Sequence, residues 1–370
     1  MRDMSTGVLA LLGSGETAPG MTKIHRQLLK RLDEVRAVNL DTAYGFQENV
    51  PQMTEKLLDY FQTSLHTSVE PLHFTSFERS DELERTIFKQ QVRHATYLFA
   101  GPGSPSYALA QWRPLDLGPD LRHVLEAGGT LCFSSAATAT VGAFCAPIYE
   151  IYKVGAAPYW IEGLDLMAAF GLNCVVIPHY DNREGRDYDT SRCYLGERRL
   201  ALMELELPPG VATLGVDEHT ALVLDLKAET LSVLGKSHGY WRLDGSVRVL
   251  ENGSTTPLDE LRSIETGARA VEDVVIDAPA SLPRDLARCV LEGGPRAVEA
   301  LAQLVQLSAT GGEGFIDPTA LVDGVLAARV SARASGQYQL ADELRDSLVR
   351  AGIDVQDTPE GTTWSLRATI

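Results

Sequence analysis

The chain has 370 residues, 44% hydrophobic and 22% charged, a composition suited to a globular protein with room for two domains. Its 50 acidic against 33 basic residues leave a formal charge of −17, which argues against a DNA-binding protein that must displace counterions over a basic surface. The five cysteines (Cys132, Cys145, Cys174, Cys193, Cys289) are scattered with no Cys-x-x-Cys pair, which reads as reduced cytoplasmic thiols packed as small hydrophobes.

The first apolar run, Val8–Leu12, is too short for a signal-peptide core or a membrane span and reads as a buried strand. A glycine-rich turn, GSGETAPG, leads from it into the helical pattern MTKIHRQLLKRL. VRAVNLDTAYGF reads as a second strand entering a loop at Asp41–Phe46, and NVPQMTEKLLDYFQTSL as a helix with Pro51 in its first turn. VEPLHFT is a third strand, SDELERTIFKQQVRHA a helix opened by Ser80 or Asp81, and TYLFAGPGS a strand ending in a Gly/Pro loop. The helix LRHVLEAGG precedes the strands TLCFS, NCVVIPH and VATLGVDE, and ALVLDLKAETLSVLGKSHGYWRL reads as a hairpin region. Continuous apolar strands alternating with helices predict an α/β fold whose mostly parallel, doubly wound sheet is covered on both faces.

Ligands of such sheets sit outside the carboxyl ends of the strands. The loops Gly13–Gly20, Asp41–Asn49, Gly101–Tyr107, Phe133–Thr140, His179–Arg192 and Asp217–His219 therefore line one edge. This α/β domain spans residues 1–255. A linker or crossing segment follows at 256–282, and amphipathic helices with a terminal hairpin, DVQDTPEGTTWSLR, make a small tail domain at 283–370.

One stretch on that edge carries chemistry. In GGTLCFSSAATATVGAF an apolar strand meets two serines and leaves through small residues able to open a helix, the outline of a nucleophile elbow. Elbows usually read Gly-x-Ser-x-Gly, but Phe133 and Ala137 flank Ser135 here. A Cβ on each side of such a turn predicts a relaxed turn with Ser135 less exposed. Downstream stand His179 in VVIPHYDNREG and Glu218 in GVDEHTALV, each at a strand end. Serine, histidine and a carboxylate are the three parts of an acyl-transfer triad: nucleophile, base, and the acid that orients the base.

On these words, residues 5 to about 250 resemble the dipeptidase E and cyanophycinase family of serine peptidases, which has the class I glutamine amidotransferase-like fold. That family's elbow reads Gly-Thr-Ser-Ala-Gly-Ala, of which Ser135-Ala136 is kept; its GIDEDTA is similar to GVDEHTA here. The resemblance implies Ser135, His179 and Glu218 as catalytic residues. It implies oxyanion donors at Ala136 and in the Gly101-Pro102-Gly103 loop, and substrate contacts from Arg183 and Asp217. A second resemblance covers QLADELRDSLVRAGIDVQDTPEGTTW, which is similar to the C-terminal tail of cysteinyl-tRNA synthetases and implies a tRNA partner. No His-Ile-Gly-His and no zinc-type Cys/His cluster accompanies it, so aminoacylation is not implied.

Glu16 and Tyr44 lie on converging loops and read either as turn chemistry or as a polar pocket wall. GPGSPS lacks the Gly-Lys-Ser/Thr ending of a phosphate loop, and the sequence implies neither a cofactor nor a metal. The tail arginines Arg329, Arg333, Arg345, Arg350 and Arg367 face an RNA backbone in one reading and form a solvated helix face in the other. Two functions stay open: a serine hydrolase acting on a small-molecule or peptide substrate, and a catalytically silent module binding a ligand or tRNA. A homo-oligomer is compatible with either.

Overall fold

The computed structural model describes residues 7–243 and 245–266, the segments 353–358 and 361–366, and positions 322, 326, 329, 333, 342, 345, 348 and 349. The chain divides into two compact units, Met1–Ala270 and Val271–Ile370. The first begins β1 (Val8–Leu12), α1 (Pro19–Lys30), β2 (Ala37–Leu40), α2 (Val50–Leu65), β3 (Val69–Leu72), α3 (Glu82–His94) and β4 (Tyr97–Ala100). It continues through α4 (Pro105–Trp112), α5 (Gly118–Glu126), β5 (Thr130–Ser134), α6 (Ala136–Ala139), β6 (Phe144–Cys145), β7 (Ile161–Glu162) and β8 (Cys174–Ile177). After α7 (Gly196–Leu205) come β9 (Ala212–Val216), β10 (Thr220–Asp225), β11 (Thr230–Gly235), β12 (Gly239–Leu243), β13 (Ser246–Leu250), β14 (Thr255–Pro257) and α8 (Leu258–Thr266).

Eight strands form one sheet in the order β14-β11-β10-β1-β5-β4-β2-β3. The run β1-β5-β4-β2-β3 is parallel, and β10, β11 and β14 extend it antiparallel. Strand β1 shows why its sequence is apolar throughout. Val8, Ala10 and Leu12 pack with Met21, Ile24 and Phe61 of α1 and α2, while Leu9 and Leu11 join Val92, Trp112 and Val124 of α3, α4 and α5 on the other face. Helix α3 starts at a capping box: Asp81 accepts from the Glu84 amide, and Glu84 accepts from the Asp81 amide.

Two expectations need correction. NCVVIPH and VATLGVDE do not join the large sheet; as β8 and β9 they belong to a second sheet, β13-β12-β9-β8. A continuous apolar run reports burial on two faces but not which strand it pairs with. The stretch expected as a linker from residue 256 opens instead with the end of β14 and helix α8, whose Leu258 and Leu261 are buried. Arg262 of α8 donates to the Phe170 carbonyl from both Nε and Nη2. Residues 267–282 lie outside the described residues.

The two sheets meet at Gly13, just past β1. Its amide donates to the Thr220 carbonyl at 2.9 Å, and its carbonyl accepts from the His179 amide at 3.3 Å. A Cβ at Gly13 would lie 2.0 Å from the Asp217 carbonyl oxygen, so only glycine allows the approach.

In the second unit, β15 (Ile353–Thr358) and β16 (Gly361–Leu366) pair antiparallel from Ile353↔Leu366 to Thr358↔Gly361. Ile353 and Val355 are buried while Asp354 and Gln356, which alternate with them, are not, the period of a strand with one covered face. Val322, Leu326 and Arg329 are helical and buried, at the spacing of one helix face. Arg329 is 2% exposed, which removes it from the arginines available to an RNA backbone; Arg333 and Arg345 are exposed. Arg350 and Arg367, with the remaining expected tail helices, lie outside the described residues. Among the described residues no helix is long and apolar enough to cross a membrane.

Candidate active site

Strand β5 delivers its last residue, Ser134, fully buried, and the chain turns at Ser135 with φ 52° and ψ −117° before α6 begins. The expected relaxation does not occur. The left-handed backbone falls on Ser135 itself, not on the flanking positions, so Phe133 and Ala137 bring no conformational penalty there. Both flanking side chains are buried, with Phe133 beside Trp112 at a ring separation of 6.4 Å. Burying a phenylalanine contributes about 2–3 kcal/mol, against about 1–3 kcal/mol for one residue held in a sparsely populated backbone region. Thr138 braces the turn: its Oγ1 lies 2.9 Å from the Leu12 carbonyl and 2.8 Å from that of Phe133. Ser135 remains partly exposed.

His179 follows β8, also at positive φ (47°), and its Nε2 lies 2.7 Å from Ser135 Oγ. Its Nδ1 lies 2.7 Å from Glu218 Oε1, in the turn joining β9 to β10. With a carboxylate on Nδ1, that nitrogen carries the proton and Nε2 is free to accept from the serine hydroxyl. The hydrogen bond from His179 holds the Glu218 carboxyl below the usual carboxylate range, helped by Asn182 Nδ2, which donates to the same oxygen at 3.1 Å. Asp181 accepts from the Glu218 amide at 2.7 Å and fixes the backbone of the acid. The sequence offered no signal for Asp181 or Asn182 beyond their place just after His179.

The candidate oxyanion donors stand next door because β4 and β5 are sheet neighbours. The amides of Gly101, Gly103 and Ala136 find no acceptor among the described residues. Gly103 has φ 145°, and a Cβ there would lie 2.0 Å from the Ala43 carbonyl oxygen, so the loop is pressed against residues 41–44.

The expected substrate contacts divide. Glu16 stands beside the elbow, its Oε2 accepting from Ser134 Oγ at 2.9 Å. Below it the buried His25 receives the Tyr97 hydroxyl on Nδ1 at 2.7 Å and donates from Nε2 to the Glu16 carbonyl at 2.9 Å. Desolvation lowers His25 from its ordinary 6.5 to about 4, so the ring is neutral and that tautomer is required. Arg183 is exposed and makes no hydrogen bond or ion pair among the described residues.

Tyr44 and Asp217 are corrections. Tyr44 is 2% exposed and its hydroxyl is bonded to Asn39 and Thr54, both at 3.0 Å, so it presents nothing to a ligand. Asp217 is 1% exposed; its Oδ2 accepts from Ser237 Oγ, the His238 amide and the Tyr240 hydroxyl. Burial raises its carboxyl above the usual range. Both residues build the frame behind the site rather than its wall.

Comparison with solved structures places the fold. A crystal structure of a peptidase from an acI-B1 Actinobacterium superposes over 69% of this chain and 98% of its own, with TM-score 0.55 and 21% identity. The α/β unit therefore shares the fold of that peptidase. The tail is similar to another class: residues 317–364 match the family described as the cysteinyl-tRNA ligase anticodon binding domain. The cysteine–tRNA ligase of Beutenbergia cavernae is 45% identical over 64 residues, covering 17% of this chain and 13% of the ligase. That of Salinibacter ruber is 41% identical over 68 residues, covering 18% and 13%. The chain thus spans about an eighth of the length of these curated relatives.

Proposed function

We propose that the α/β unit, Met1–Ala270, is a serine hydrolase of the peptidase E type that cleaves an amide or ester bond. The observation that carries this reading is the unbroken chain Ser135 Oγ–His179 Nε2 and His179 Nδ1–Glu218 Oε1, 2.7 Å at each link, starting from a serine at φ 52°. Ser135 Oγ attacks the carbonyl carbon while its proton passes to His179 Nε2, and Glu218 stabilises the imidazolium. The oxyanion is received by the Ala136 amide and the amides of the Gly101–Gly103 loop. His179 then protonates the leaving amine or alcohol, and water activated by the same nitrogen releases the acyl group from Ser135. A fluorophosphonate probe tests this reading. Wild type should be labelled on the peptide carrying Ser135, and Ser135→Ala should not; an unlabelled wild type would turn the site into a binding module.

The match over residues 317–364 favours a second property, tRNA binding by the tail domain at 283–370. With Arg329 buried, the contact falls to Arg333 and Arg345 among the described arginines. Total tRNA should shift in a gel at low salt, the shift should weaken steeply with added salt, and Arg333→Ala/Arg345→Ala should reduce it. Absence of any shift at low salt would remove RNA from the account.

A further inference from the structure

Beside His179 runs a row of aromatic rings that the triad does not use. The Tyr194 ring lies 6.2 Å from the His179 ring, Tyr152 lies 5.0 Å from Tyr194, and Tyr188 stacks on Tyr152 at 6.4 Å and 28°. The Tyr152 and Tyr188 hydroxyls are 2.6 Å apart, and Lys153 Nζ sits 4.5 Å from the Tyr152 ring centre. Tyr194 is partly spent on the core, where it packs against the cluster containing Ile177 and Leu195. Tyr188 is not: it is 58% exposed, and its ring contact and hydroxyl bond are both with Tyr152. The fold holds Tyr194 in place at a conformational cost. Arg192, Cys193 and Tyr194 have φ of 57°, 57° and 64°, three consecutive left-handed residues with side chains, tied down by the Cys193 amide on the His179 carbonyl at 3.1 Å.

We infer that Tyr152, Tyr188 and Tyr194 form the subsite for a flat, neutral aromatic side chain on a short peptide or amide substrate, an inference that rests on the hydrolase reading. Ring faces and edges select another ring over an aliphatic group of similar size. The charges beside the row are mixed: Lys153 lies over the Tyr152 ring and Glu184 accepts the Tyr194 hydroxyl at 2.9 Å, so no single sign of charge is selected.

Binding to full-length Ser135→Ala, which separates recognition from turnover, is the test. N-acetyl-phenylalaninamide should bind about fivefold tighter than N-acetyl-leucinamide, the worth of one aromatic pair. Tyr188→Ala should erase that ratio, and Tyr188→Phe should keep it. In active enzyme Tyr188→Ala should raise KM for the phenylalanine substrate far more than it changes kcat. Equal affinities, no binding of the aromatic amide, or a ratio untouched by Tyr188→Ala overturns the subsite. Fluorophosphonate labelling of wild type reads the hydrolase proposal separately. Labelling without aromatic preference sinks the subsite alone, and preference without labelling sinks the hydrolase and leaves the subsite standing.

Discussion

At the carboxyl end of β5, Ser135, His179 and Glu218 bond to one another in a row that stays partly open to solvent. At the end of β2, two strands away in the same sheet, Asp41 and Tyr44 also follow an apolar strand, yet they spend their polar atoms inside. Asp41 is fully buried, taking His73 Nδ1 at 2.6 Å and the Phe74 amide at 3.1 Å. The contrast narrows to adjacent residues at Asp217 and Glu218, whose carboxyls are shifted in opposite directions, one by burial and one by the hydrogen bond from His179. A polar group past a strand is framework when the protein satisfies it from several sides. It is a candidate for chemistry when its partners form a line that ends at solvent.

Removing groups from each side should therefore damage different quantities. The largest effect is expected in the open row. Ser135→Ala or His179→Ala should cut turnover by at least about 10³-fold, with little change in melting temperature. A comparable loss of stability would break the distinction. The interior should answer to acid instead. His25 titrates near 4 when folded and near 6.5 when unfolded, so the unfolded chain binds more protons between those values. Stability is fully present above pH 6.5 and is lost as pH falls toward 4, by on the order of 3 kcal/mol. Denaturant midpoints measured from pH 7 to pH 4.5 should show the fall, and a flat profile would show that His25 is not neutral in the fold. Glu218 adds little to this loss at first, because the stability from its lowered carboxyl is lost only once pH falls into the ordinary carboxylate range, where the unfolded chain protonates and the folded one does not.

Smaller effects sharpen the comparison. Asp41→Ala strands the buried Phe74 amide and should cost about 1–3 kcal/mol, read as a lower urea midpoint, while probe labelling of Ser135 persists. Smallest of all, Ser135→Gly should be more stable than Ser135→Ala by about 1 kcal/mol, because glycine alone accepts the elbow's backbone freely. Equal midpoints for these two variants would mean that the turn relaxes once the serine is gone.

Much of this was legible from residues alone. Apolar runs marked the strands, and Ser135, His179 and Glu218 were each identifiable at a strand end. What could not be read was who satisfies whom. Tyr44 is buried by Thr54 and Asn39, and Asp217 is capped by Ser237 and Tyr240 some twenty residues on, pairings set by tertiary packing rather than local pattern. The elbow misled for a different reason: the usual glycines suggest that the strain sits beside the serine, whereas here it sits on Ser135. Tyr152, Tyr188 and Tyr194 carried no periodic signal, since the first lies in a single π-helical turn, Glu150–Val154, and the other two in the loop after His179.

The division into two sheets has a mechanical consequence. His179 hangs from the small sheet at the end of β8, Ser135 hangs from the large one at the end of β5, and Glu218 lies in the turn that leads from β9 of the small sheet to β10 of the large. The bond from Ser135 to His179 thus crosses the seam at Gly13, whereas Glu218 sits on the covalent link by which β9 of one sheet passes into β10 of the other. A shear between the sheets would bear first on the bond between the serine and its base, which no short turn of backbone spans. Gly13→Ala, which forces the seam open at the Asp217 carbonyl next to Glu218 and beneath the His179 amide, would therefore displace acid and base together from a serine held by the other sheet.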